Sequence, residues 1–241
     1  MKRIGVLTSG GDTPGMNAAI RAVFKTGVDI DLQVMGIYHG YKGLIEGRVG
    51  YLAHADVESK MHKGGTILRT ARSEEFKTEG GIEKAISVLR AYEIEGLIVI
   101  GGDGSFKGAD ALSKRGIPVI GIPGTIDNDM GYTDFTIGFD TAVNNVMNEI
   151  YKIRDTMRAH DRVGVIEVMG RRCGDIALWA GVAGAADIIL VPERPLSWAD
   201  AANRLAANKL RGQLTSIVMI AEGAGKAEDF CEYVRKYTDV E

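Results

Sequence analysis

Cysteine is scarce in this 241-residue chain, which holds only Cys173 and Cys231. The two have no CxxC spacing and no pattern of His and Asp beside them. That excludes a disulfide framework, a zinc site and an activated thiolate, and both read as reduced packing residues. Proline is equally sparse, five in all, and no low-complexity linker interrupts the chain. Long apolar runs are missing too. The longest aliphatic stretches, LIVI at 97–100 and IILV at 188–191, fall far short of the ~18 residues that suggest a membrane span. The opening MKRIGVLTSGG is too short in apolar residues for a secretory segment, so a cytoplasmic protein is expected. An excess of positive charge is also lacking: 29 Lys and Arg against 32 Asp and Glu leave a net charge of -3. That balance argues against a general nucleic-acid surface, so any anionic ligand has to be met by local arginines. Of the four histidines, His39, His62 and His160 show no paired spacing for a metal, and His54 reads as a surface histidine rather than a switch.

What is present is an ordinary globular composition, 45% hydrophobic and 25% charged, enough for one large domain or two small ones. Short Val/Ile/Leu runs at 3–8, 33–38, 96–101, 117–122, 163–168, 187–191 and 215–221 alternate with stretches of helical period. This alternation predicts an α/β fold with mainly parallel sheets. The clearest helix is 139–159, where Ala142, Val143, Val146, Met147, Ile150, Ile153 and Met157 share one face at three- and four-residue steps. A GFD turn at 138–140 is the best boundary, dividing lobes 1–138 and 139–241.

Three strand ends carry unusual loops: LTSGGDTPG at 7–15, IGGDGS at 100–105 and PGTIDND at 123–129. In an open α/β sheet, ligands bind beyond the carboxyl ends of the strands. Gly10, Gly11, Gly101, Gly102 and Gly104 let bare backbone N–H groups approach an anion, and the following helices aim their positive ends at it. Neither a Walker A nor a GxGxxG pattern occurs. Asp103 would repel phosphates unless a divalent cation lay between them, which points to Mg2+; its structural alternative is an N-cap for the helix from Ser105. A turn needs one Asx residue, so Asp127 with Asp129, behind Thr125, reads as chemistry: a general base that accepts a proton from an attacking hydroxyl. Arg72 and Arg171, in Gly-rich loops, are the candidate cations for phosphoryl oxygens.

The ordered set GVLTSGGDTPGMNAAIR, GGTIL, TAR, IVIGGDGS, GIPGTIDNDM, TIGFDTA, IEVMGR and AEG runs along the whole chain. It resembles the bacterial phosphofructokinase family. That resemblance implies a two-lobed, Rossmann-like architecture with helices on both sheet faces and phosphorylation of the 1-hydroxyl of fructose 6-phosphate. It implies nucleotide and Mg2+ positions at Gly11, Tyr41, Arg72, Gly102, Asp103, Gly104 and Ser105, with Asp103 on the metal. It places Thr125, Asp127 and Asp129 in the reaction loop and Arg162, Met169, Gly170, Arg171 and Glu222 at the sugar phosphate. Arg162 is implied to reach the site of an adjacent subunit in a homotetramer. Gly104 and Gly124 stand where pyrophosphate-using relatives carry Asp and Lys, which implies ATP as donor. Effector positions for ADP and phosphoenolpyruvate are implied at Arg21, Lys25, Arg154, Asp187 and Arg211. Gln213 and Leu214 replace lysines there, so blunted control is expected. Family members continue past Glu241 into a segment that helps bind the sugar phosphate, so both lobes are expected to lack their C-terminal part. A truncated or non-catalytic form that binds nucleotide and sugar phosphate is the alternative reading.

Overall fold

A computed structural model describes residues 2–240; Met1 and Glu241, the outermost positions of the two expected lobes, lie outside them. The described residues form two compact units. One comprises the chain up to Thr125 with Met130–Gly138, and the other comprises Ile126–Asp129 with everything from Phe139 onward.

In the first unit the chain runs β1 (Arg3–Ser9), α1 (Met16–Asp29), β2 (Gln33–Ile37), α2 (Gly40–Ile45), β3 (Val49–Tyr51), α3 (His54–Val57), α4 (Glu79–Ala91), β4 (Gly96–Gly101), α5 (Asp103–Ser113), β5 (Val119–Thr125) and β6 (Ile137–Gly138). The strands pair in the order β3-β2-β1-β4-β5-β6. All neighbours are parallel except β2 and β3. Parallel strands need crossover helices, which cover both faces, so their side chains read as continuous apolar runs. Accordingly Leu7, Leu97 and Val99 pack with Leu89 of α4 and Leu112 of α5 on one face. Val6 and Ile100 pack with Ile20 and Phe24 of α1 on the other.

The second unit contains α6 (Phe139–His160), β7 (Val163–Val168), α7 (Asp175–Ala183), β8 (Ile188–Leu190), α8 (Trp198–Leu210), β9 (Ser216–Ala221) and α9 (Ala227–Tyr237). Its parallel strands pair in the order β7-β9-β8. Every residue of β9 is buried, because Met219 and Ile217 face Phe139, Ile150 and Ile176 while Val218 and Ile220 face Leu205 and Phe230.

Three expectations need correction. The strand expected at 117–122 runs instead over Val119–Thr125, so Pro123, Gly124 and Thr125 are strand rather than loop. Pairing extends that far because Gly124 and Thr125 have partners of their own in Ile137 and Gly138 of β6. Strands β3 and β6 have no counterpart in the periodicity reading: three and two residues are too short to show alternation. Asp103 is not an N-cap; Gly102 holds that position, and Asp103 opens the first turn of α5.

Candidate functional site

The strand order reverses at β1, which has β2 on one side and β4 on the other. There Ser9 is in register with Gly101, and Gly101 with Pro123, so the ends of β1, β4 and β5 lie abreast. A switch point of this kind leaves a crevice beyond the strand ends. Gly10 adopts φ 89 to begin the first turn, a conformation that disfavours other residues. At Gly101 a Cβ would stand 2.4 Å from the Ser9 carbonyl oxygen and 2.5 Å from Ser105 Oγ, so only glycine allows the two strand ends this closeness.

Polar groups beneath the turns fix their shape. The buried Ser105 hydroxyl donates to the Ser9 carbonyl at 2.8 Å, and Thr70 Oγ1 donates to the Gly10 carbonyl at 2.7 Å. The Tyr41 hydroxyl donates to the Ser105 carbonyl at 2.6 Å while its ring stacks on Phe76. Burial pushes the Tyr41 phenol far above its ordinary value. Tyr41 and Ser105 therefore brace the loop from its buried side, whereas Gly11, Asp103, Gly104 and Arg72 are exposed. Neither Gly15, before α1, nor Gly102, before α5, caps its helix with a side chain. Of the two starts, α1 begins on the buried Met16 and Asn17, whereas α5 begins on the exposed Asp103 and Gly104, where the positive end of the helix favours an anion.

Space discriminates among the glycines. A Cβ on Gly104 would meet nothing within 4 Å, whereas one on Gly124 would lie 3.2 Å from Ile100 Cγ2. A side chain at Gly124 would crowd Ile100, whereas Gly104 has no packing reason to be glycine. Asp103 Oδ2 pairs with Lys107 Nζ at 2.7 Å. Among the described residues no three His, Cys, Asp or Glu side chains gather to hold a metal unaided. A lone exposed carboxylate fits Mg2+ that takes its other ligands from phosphates and water.

The second unit brings together several residues expected from the sequence to serve the acceptor. Asn128 turns the chain in a left-handed conformation, φ 53, between Asp127 and Asp129. Arg171, itself at φ 55, brings Nε to 3.4 Å from Asp127 Oδ2 and Nη1 to 4.0 Å from Asp129 Oδ2. Glu222, just past β9, accepts from the backbone N–H groups of Gly170 at 3.0 Å and Arg171 at 2.6 Å. Asp127, Asp129, Gly170, Arg171 and Glu222 thus form one cluster. Met169, 65% exposed, adjoins it. Arg162 lies away from it in sequence, exposed in the turn between α6 and β7. Two hydrogen bonds beside the cluster involve residues to which the sequence assigned no role. Asn128 Nδ2 donates to Asp175 Oδ2 at 2.8 Å, and the Gly174 N–H donates to Glu193 at 2.7 Å. Their sequence signal is faint: a polar residue between two aspartates and an acid opening a helix.

The residues expected at effector positions have local contacts. In the first unit Glu58 pairs with Lys25 at 2.7 Å and with Arg21 at 3.8 Å. The Lys25 hydrogen bond and charge hold the Glu58 carboxyl below its ordinary value. In the second unit Asp187 accepts from Gln213 Nε2 at 2.6 Å and from the Ile217 N–H at 2.8 Å. Arg154 donates to the carbonyls of Gly184 and Ala185, and Arg211 caps α8, exposed.

A doubly wound sheet with glycine turns at its switch point is a framework for binding phosphorylated ligands. The phosphofructokinase family profile matches residues 3–241. The ATP-dependent 6-phosphofructokinase of Clostridium novyi (strain NT) is 54% identical over 241 residues, all of this chain and 76% of that relative. The enzyme of the same name from Clostridium botulinum (strain Okra / Type B1) matches equally, at 54%. Among solved structures, phosphofructokinase from Saccharomyces cerevisiae superposes with a TM-score of 0.91 at 36% identity, over 100% of this chain and 37% of that one. The chain belongs to the phosphofructokinase family.

Proposed function

We propose that this protein transfers the terminal phosphoryl group of ATP to the 1-hydroxyl of fructose 6-phosphate, giving fructose 1,6-bisphosphate in glycolysis. The observation that carries the reading is the Asp127, Asp129, Arg171 and Glu222 cluster, found in a chain 54% identical to an ATP-dependent 6-phosphofructokinase. Asp127 accepts the proton of the attacking hydroxyl, and Asp129 and Thr125 hold the acceptor. Arg171 stabilises the phosphoryl oxygens, as does Arg72 on the nucleotide side. Gly11, Tyr41, Gly102, Gly104 and Ser105 form or brace the nucleotide loops. Asp103 holds Mg2+, which neutralises phosphate charge when bound. Arg162, Met169, Gly170 and Glu222 serve the sugar phosphate. Open space at Gly104 supports a nucleotide donor over pyrophosphate.

The lobes are read as 1–138 for nucleotide and 139–241 for sugar phosphate, in a cytoplasmic homotetramer in which Arg162 serves a neighbouring subunit. A sedimentation mass checks the assembly. ADP and phosphoenolpyruvate act through Arg21, Lys25, Arg154, Asp187 and Arg211. Their control is weak because Gln213 and Leu214 lack the charge of lysine, each such contact contributing ~1–3 kcal/mol. Phosphoenolpyruvate inhibition as strong as in a regulated relative would overturn that last point.

The test is a coupled assay with fructose 6-phosphate and either ATP or pyrophosphate, on the native chain and on Asp127→Ser. We expect ATP-dependent turnover that falls roughly 10²–10⁴-fold in the variant. Full activity of Asp127→Ser would remove the base, and turnover with pyrophosphate alone would remove the donor assignment. Ligand binding without turnover would favour the non-catalytic member of the family.

A further inference from the structure

Asp127 and Asp129 can act only if their loop keeps one shape, and a hydrogen bond ties the residue between them to helix α7. Asn128 sits at φ 53, where glycine carries the least strain and Asn is tolerated. Asn adds something glycine cannot: its side-chain amide donates to Asp175 Oδ2 at 2.8 Å. Asp175 opens α7, whose next two residues, Ile176 and Ala177, are buried at 2% and 0% exposure against β9. The turn before it is pinned separately, through the Gly174 N–H to Glu193 at 2.7 Å and the Cys173 N–H to the Gly170 carbonyl at 2.9 Å. Asp175 is therefore a fixed acceptor on a core-anchored helix, while Asn128 lies on the surface loop it steadies.

We propose that Asp175 and Asn128 are a positioning pair. Their hydrogen bond locks the left-handed turn and so aims the carboxylates of Asp127 and Asp129, while Glu222, at the adjacent end of the neighbouring parallel strand β9, does the same for Arg171. The proposal rests on the reading of Asp127 as base, but its structural half stands apart from turnover. A misplacement of about 1 Å in a catalytic group costs on the order of 100-fold in rate, so the loss of this bond should show mainly in kcat.

The experiment compares Asp175→Ala, Asp175→Asn, Asn128→Gly and the Asp175→Ala/Asn128→Gly double variant in the whole chain. Asn128→Gly keeps the left-handed backbone and removes only the amide. Asp175→Asn keeps an oxygen acceptor. Two readouts are taken: kcat and KM with ATP and fructose 6-phosphate, and amide hydrogen exchange over residues 124–131. We expect Asp175→Ala and Asn128→Gly each to lower kcat roughly 10- to 100-fold with KM for ATP unchanged. The double variant should be no worse than the poorer single, and Asp175→Asn should restore most of the rate. Exchange over 126–130 should quicken in the first two variants and not in Asp175→Asn. Full kcat in Asn128→Gly, additive losses, or Asp175→Asn as damaged as Asp175→Ala would overturn the proposal, as would unchanged exchange. A native chain without turnover would defeat the functional reading alone, and the exchange pattern would still decide whether the pair holds the loop.

Discussion

Single residues divide sharply between those that packing demands and those that it does not, and Gly101 and Gly104, three positions apart, show the contrast. A methyl group on Gly101 collides with the Ser9 carbonyl and Ser105 Oγ. Gly101→Ala should therefore cost about 1–3 kcal/mol of stability, measured by urea unfolding. Gly104 faces open space. Gly104→Asp should fold with an unchanged Tm yet lose ATP-dependent turnover by roughly 100-fold or more, because on the proposed reading a second carboxylate there adds negative charge and bulk beside the nucleotide phosphates. Tyr41 belongs with the first kind. Its hydroxyl bond to the Ser105 carbonyl is buried, so Tyr41→Phe should lower stability by ~1 kcal/mol. This also shows why its role was not legible from the residue type: the sequence motif marks the loop, but only the fold shows that Tyr41 supports it from beneath.

Elements are tied together by a few charged contacts. The clearest is Glu167 on β7, which accepts from Lys226 Nζ at 2.6 Å and from the Ala227 N–H at 3.0 Å at the start of α9. The Lys226 hydrogen bond, then the Ala227 N–H, hold the Glu167 carboxyl below its ordinary 4.5. A depressed carboxylate contributes stability that is present above its unfolded value and lost as pH falls through its folded one. Glu167→Gln should therefore lower Tm at pH 7, and the gap from the native chain should close as pH drops below about 4.5. Thermal melts across pH 3–7 would show it, and a gap that persists at the acid end would contradict it. At this scale much was readable beforehand. The stripe from Ala142 to Met157 became α6, Phe139–His160. The exceptions are β3, β6 and the end of β5, which exist because a neighbour supplies hydrogen bonds, a condition invisible to local periodicity.

For the whole molecule the notable feature is an apolar groove in the first unit, about 710 Å³, lined by Ile4, Val23, Ile30, Ile98 and Ile120 among others. Ile120, on β5, is 64% exposed, an unusual state for a strand of a parallel sheet, which is ordinarily covered on both faces, and Ile30, at the end of α1, is 62% exposed beside it in the groove. Ile120→Asp and Ile30→Asp should each reduce binding of a fluorescent apolar dye while leaving Tm nearly unchanged. A dye signal equal to that of the native chain would show that the groove is not the exposed apolar surface in solution.

The sequence by itself determined the α/β class, the strands that form the two cores and the three loops that carry glycine and aspartate. Apolar period and residue chemistry are local properties, and they survive without knowledge of partners. Only the tertiary structure decided that Ser9, Gly101 and Pro123 align at the reversal of strand order. Likewise, it alone showed that Arg171 meets Asp127, 44 residues away by number, and that Asp175 holds Asn128. Those pairings depend on which strands become neighbours and on the angle at which a helix leaves its turn, and both are set by burial of the whole core rather than by any one segment.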